Sequence, residues 1–162
     1  MSASILSLLL RDEAMIFPAV VSLLHAYQLA NMAKAVGSLR RKFKVSPPAI
    51  NGDPGFERGF RAQQNTLEFT PMFMILLWIA AKFLNPVLAS VTALLYIKAR
   101  SDYFTGYCAR AEERRGPFGR SVNIIMLLFA YSAIGLTHTI LATYFNVNIP
   151  KLVGLGDYIL LD

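Results

Sequence analysis

Arg61, Asn65 and Glu68 stand four and then three residues apart, so a helix carrying them aligns a guanidinium, an amide and a carboxylate along one face, with Gln63 close by. A second set, Arg100, Tyr103, Tyr107 and Arg114, follows at spacings of three, four and seven and shares a face if the helix runs on to Arg114. Together the two sets offer forked donors for carboxylates, one carboxylate for an ammonium group, an amide and two phenols. That inventory suits a small zwitterion of net negative charge. A further arginine beside such a ligand lowers the pKa of a bound thiol and yields a thiolate nucleophile at neutral pH, with no nucleophile supplied by the protein.

Taken singly, some of these residues have plainer readings. Arg61 can snorkel to lipid headgroups, and tyrosines at a helix end suit an interfacial aromatic belt. The belt leaves Arg100 unexplained, and an ionised group inside an apolar helix pairs or binds something by default. His25 and His138 stand alone in apolar stretches and are read as interhelical hydrogen-bond partners. Cys108 is the single cysteine, so it closes no internal disulfide, and no spacing of His, Cys and carboxylates suits a metal.

Hydropathy marks the helices that carry these residues. Of 162 residues, 55% are hydrophobic and 16% charged, against about 25% charged in an ordinary soluble domain. The apolar residues fall into four runs, roughly 15–36, 61–84, 86–107 and 122–145. Each is about 33 to 36 Å long as a helix, enough for a hydrocarbon core of about 30 Å. The expected fold is an all-α integral membrane protein, a bundle of four transmembrane helices forming one domain over residues 1–162. Asn85 and Pro86 leave room only for a tight turn, making the second and third helices an antiparallel hairpin. That hairpin brings the start of one polar stripe and the end of the other to the same face of the membrane.

A net charge of +6 raises the question of nucleic acid. The positions of the basic residues answer it in favour of membrane topology. Arg40, Arg41, Lys42, Lys44, Arg58, Arg110, Arg114, Arg115 and Arg120 fall on one side, and Arg11, Lys82 and Lys151 on the other. The excess places the former loops in the cytosol. No basic residues precede the short apolar stretch Ile5–Leu10, which argues against a cleaved signal peptide. Pro47, Pro48, Gly52, Pro54 and Gly55 predict a non-helical first cytosolic loop, and Pro18 and Pro71 predict kinks in their helices.

Lys44-Val45-Ser46-Pro47-Pro48, Phe56-Glu57-Arg58, Arg61-Ala62-Gln63-Gln64-Asn65 with Glu68, and Tyr103-Phe104-Thr105-Gly106-Tyr107 together resemble the MAPEG family, the membrane-associated proteins of eicosanoid and glutathione metabolism. The likeness runs from Arg40 to about Arg115 and is greatest to the conjugating members that use glutathione. It implies a homotrimer in the endoplasmic reticulum or nuclear envelope membrane, with glutathione as co-substrate bound between subunits at the cytosolic face. By motif position, Arg61, Asn65, Glu68, Tyr103 and Tyr107 hold glutathione, Arg40 and Gln63 reach in from the neighbouring subunit, and Arg114 stabilises the thiolate. Arg41 is then the candidate to assist the opening of an epoxide. The implied acceptor is a lipophilic electrophile such as leukotriene A4, giving leukotriene C4, with room for a peroxidase activity. A noncatalytic scaffold that binds arachidonate, of the lipoxygenase-activating kind, shares several of these elements and is the alternative. Arg61, Gln63 and Glu68 favour the enzyme.

Overall fold

Asn85 and Pro86 reverse the chain as the sequence predicts. The Asn85 side chain accepts from the Leu88 N–H at 2.9 Å, capping the helix that follows, and Pro86 takes the first helical position, where its missing N–H costs nothing. The computed structural model describes residues 12–147. Among them a short 3-10 turn, Asp12–Met15, leads into four helices: α1 (Ile16–Phe43), α2 (Pro54–Phe83), α3 (Pro86–Ala109) and α4 (Arg115–Phe145). A second 3-10 turn, Glu112–Arg114, precedes α4. The apolar stretch Ile5–Leu10, Arg11 and Lys151 lie outside the described residues.

Three helices outrun the apolar stretches that announce them, each by about two turns at the same end of the bundle. Hydropathy marks where an apolar solvent begins, whereas caps mark where a helix begins. Asp53 Oδ1 accepts from the Gly55 N–H at 2.7 Å, Pro54 sits at the first helical position, and the Glu57 carboxylate of the first turn accepts from the Gly52 N–H at 2.8 Å. The loop expected to stay non-helical through Gly55 therefore stops at Asp53. At the end of α1, Arg40, Arg41 and Lys42 belong to the last helical turn, where their charge faces the negative end of the helix dipole. The chain leaves through a left-handed Lys44 (φ 55°), with Val45 N–H donating to Arg40 O at 3.0 Å. Pro18 lies in the first turn of α1 and breaks no helical bond; Pro71 is inside α2.

Small residues set the spacing between helices. Ala80, Ala81, Ala89 and Ala93 are buried where α2 meets α3, beside Leu77, Phe73 and Tyr96, whose rings stack at 4.2 Å. Ile125 and Leu128 of α4 and Val21 of α1 complete the core. A Cβ on Gly135 would lie 2.5 Å from the carbonyl carbon of Phe83, so α4 crosses directly over the α2–α3 reversal. Ser132 Oγ ties the same two helices, donating to Leu128 O at 2.8 Å with Leu76 O of α2 at 3.2 Å. His25 Nε2 meets Thr70 Oγ1 of α2 at 3.1 Å, the expected interhelical partnership. His138 is buried too, but its Nε2 finds no partner among the described residues.

The outside is as apolar as the inside. Leu23, Leu95 and Met126 are 73%, 59% and 60% exposed, while Arg100 is fully buried, the distribution expected of a chain solvated by lipid. The segments Glu13–Phe43, Pro54–Phe83 and Glu112–Phe145 are long and apolar enough to cross a membrane. At about 36 Å α3 has the length, but Lys98, Arg100 and Asp102 crowd its second half and set it apart from the three.

Candidate functional site

At the end where α2 begins and α3 stops, α2 turns Arg61, Asn65 and Glu68 toward α3, which answers with Tyr103 and Tyr107. These five, with Arg114, Arg115 and Phe118, line a cleft of about 380 Å³. Both stripes read from the sequence thus converge, as the hairpin requires.

Arg114 arrives by a different route from the one expected. α3 ends at Ala109, so Arg114 is not carried on a continued helix but on the 3-10 turn that folds back over it. Gly106 permits the return: a Cβ there would lie 2.9 Å from the Glu113 carbonyl oxygen. The Arg114 guanidinium then sits over the Tyr107 ring, 4.6 Å from its centroid, and Nη1 donates to the Tyr107 hydroxyl. Tyr103 packs edge-on against Tyr107 at 5.8 Å and at a 45° tilt against Phe118 of α4 at 5.9 Å, forming an aromatic wall.

On the α2 side, Arg61 Nη1 donates to Gln64 Oε1 at 2.8 Å, and Asn65 Nδ2 points to Glu68 Oε2 at 3.4 Å. Three guanidiniums therefore face a single carboxylate around the cleft. The excess of positive charge at a rim of phenols suits an anion that also carries one cationic group.

Arg100 belongs to the Tyr103–Tyr107 stripe by spacing but stands behind the cleft wall. Its Nη2 donates to Asn65 Oδ1 at 2.9 Å and its Nη1 to Ser121 Oγ at 3.3 Å. The Phe69 and Tyr103 rings flank the guanidinium, at 4.9 and 4.6 Å. Arg115 and Phe118 were not among the residues expected at the site. The signal for them was Gly116-Pro117, a helix start that places both residues in the opening turn of α4.

Arg40, Arg41 and Gln63 lie at the same end of the bundle and outside the cleft. Arg40 Nη1 donates to Ala49 O of its own loop at 2.6 Å, and its guanidinium covers the Phe56 ring at 4.7 Å. Arg41 is exposed, with Nη2 donating to Ser38 Oγ at 3.0 Å, and Gln63 is half-buried on α2. Cys108 is half-buried, its Sγ against α2 at Gly59.

Comparison with known proteins gives a match to the MAPEG family over residues 18–137. Microsomal glutathione S-transferase 2 of Homo sapiens is 45% identical over 133 residues, 82% of this chain and 90% of that one. Leukotriene C4 synthase of Bos taurus is 40% identical over 127 residues, 78% of this chain and 84% of that one.

Proposed function

Because the chain belongs to the MAPEG family, we propose that the cleft binds glutathione and that the protein is a membrane-bound transferase joining the glutathione thiolate to a lipophilic electrophile. The observation that carries this reading is the cleft's inventory. Glutathione brings two carboxylates, an ammonium group and a thiol, and the cleft faces them with three guanidiniums, one carboxylate, an amide and two phenols. Glu68 takes the ammonium group, and Arg61 with Asn65 a carboxylate. Arg114, held over Tyr107, stabilises the sulfur as thiolate.

The sulfur lone pair attacks an electrophilic carbon. With an epoxide acceptor the thiol proton is given up to water as the thiolate forms, the C–S bond forms as the C–O bond breaks, and the released alkoxide takes a proton from water to become a hydroxyl. Arg41 is the group assigned to assist that opening, and leukotriene A4, giving leukotriene C4, is the acceptor to try first, with peroxidase activity as a second assay. The active assembly is a homotrimer in which Arg40 and Gln63 of one copy reach the cleft of the next; their placement outside their own cleft supports this. All four helices cross the endoplasmic reticulum or nuclear envelope membrane, α3 burying Arg100 against α2 and α4. The arginine-rich end faces the cytosol, as the basic excess there favours.

Conjugation of glutathione to a lipophilic epoxide, measured on the purified protein in lipid, tests the proposal. Turnover in the wild type and its loss in Arg114→Ala are expected; full turnover in the variant contradicts the role of Arg114. Saturable arachidonate binding without any turnover would favour the noncatalytic scaffold.

A further inference from the structure

Arg100 is an anomaly on energetic grounds. It is fully buried among α2, α3 and α4, in a segment read as crossing the membrane, and among the described residues no carboxylate lies within ion-pair distance of it. An ionised group in such a place is costly, and its default reading inside a membrane segment is functional. Its Nε has no partner among the described residues, which adds to that cost. The two bonds it does make fix other residues. One goes to Ser121, which in turn donates to Phe118 O at 2.8 Å and so joins Arg100 to the turn of α4 that supplies the cleft's aromatic edge. The other, at 2.9 Å, goes to Asn65.

The second bond has a chemical consequence. A guanidinium has donors and no acceptor, so the amide edge facing it must be the oxygen. The Asn65 N–H₂ group is then left on the cleft side, beside Glu68. Unrestrained, an asparagine can present either edge to a ligand; beside Arg100 it can present only donors. We propose that Arg100 is a positioning residue, locking Asn65 as an N–H donor so that the cleft accepts a carboxylate or carbonyl oxygen at that point and rejects a donor. The inference rests on the reading of the cleft as a glutathione site and names which group of the ligand stands at Asn65.

Arg100→Lys keeps the charge but replaces the fork with one ammonium, which cannot hold Asn65 and Ser121 together. Glutathione dissociation constants measured by calorimetry on the full chain in detergent, for the wild type, Arg100→Lys, Asn65→Ala and the double variant, form a cycle. Each single change is expected to weaken binding about tenfold, and the double variant to bind no worse than Asn65→Ala alone. Weakening by the product of the two factors overturns the proposal, because Arg100 would then act independently of Asn65. Asn65→Asp guards against a variant that fails to fold. It strengthens the contact with Arg100 and removes the donor, so it should melt no lower than the wild type and lose at least about tenfold in affinity; unchanged affinity overturns the proposal as well. Absence of saturable glutathione binding to the wild type would instead remove the reading of the site itself.

Discussion

Where α2 turns into α3 the bundle is closed by alanines and backbone, with Gly135 of α4 against the Phe83 backbone. At the other end the same helices are joined through Arg100, Asn65 and Ser121, with aromatic rings around the guanidinium and a cleft beside it. One end holds the helices by shape, the other by directed polar bonds in a low-dielectric setting. Stability and chemistry should therefore separate: changes at the closed end should act on folding, and changes at the polar end on ligand.

The strongest way to break that contrast is Arg114→Ala. Its guanidinium is exposed and touches chiefly Tyr107, so turnover with glutathione should fall about 100-fold while the melting temperature holds. A large loss of stability would show the ends to be one unit. Gly135→Val is the converse. Its Cβ would collide with the Phe83 backbone, costing about 2 kcal/mol of stability in chemical denaturation, with activity per folded molecule preserved. Gly106→Ala should push the Arg114-bearing turn off α3 and lower turnover about tenfold, with little change in glutathione affinity from the α2 side. Ser132→Ala removes a bond shared with α2 and should cost about 1 kcal/mol in stability with unchanged kinetics.

The sequence carried the polar end further than the structure of its supports. Spacing alone aligned Arg61 with Asn65 and Glu68, and Tyr103 with Tyr107, because a single helix fixes what shares its face. The Asn85–Pro86 turn then brought the faces together. Arg100 shared the second stripe by spacing, yet its contacts with Asn65 and Ser121 depend on how three helices close, which periodicity along one chain does not encode. Arg114 came to the cleft although the helix expected to carry it stops at Ala109, since a turn over Gly106 does the same work. At the polar end about two turns of each of α1, α2 and α4 extend past the apolar run, so hydropathy does not mark the helix limits there and capping residues such as Asp53 do. Arg40, Arg41 and Gln63 share that end of the bundle but lie outside the cleft, the two arginines bonded instead to Ala49 O and Ser38 Oγ.

The proposed chemistry turns on Arg114 holding a glutathione sulfur as thiolate in this cleft. The thiolate ultraviolet absorbance of glutathione bound to the purified protein, followed across pH for the wild type and Arg114→Ala, tests it most directly. Saturable binding with a thiolate near neutral pH is expected in the wild type and its loss in the variant; a thiolate that persists in Arg114→Ala, or glutathione bound to the wild type only as the thiol at that pH, would rule this role out.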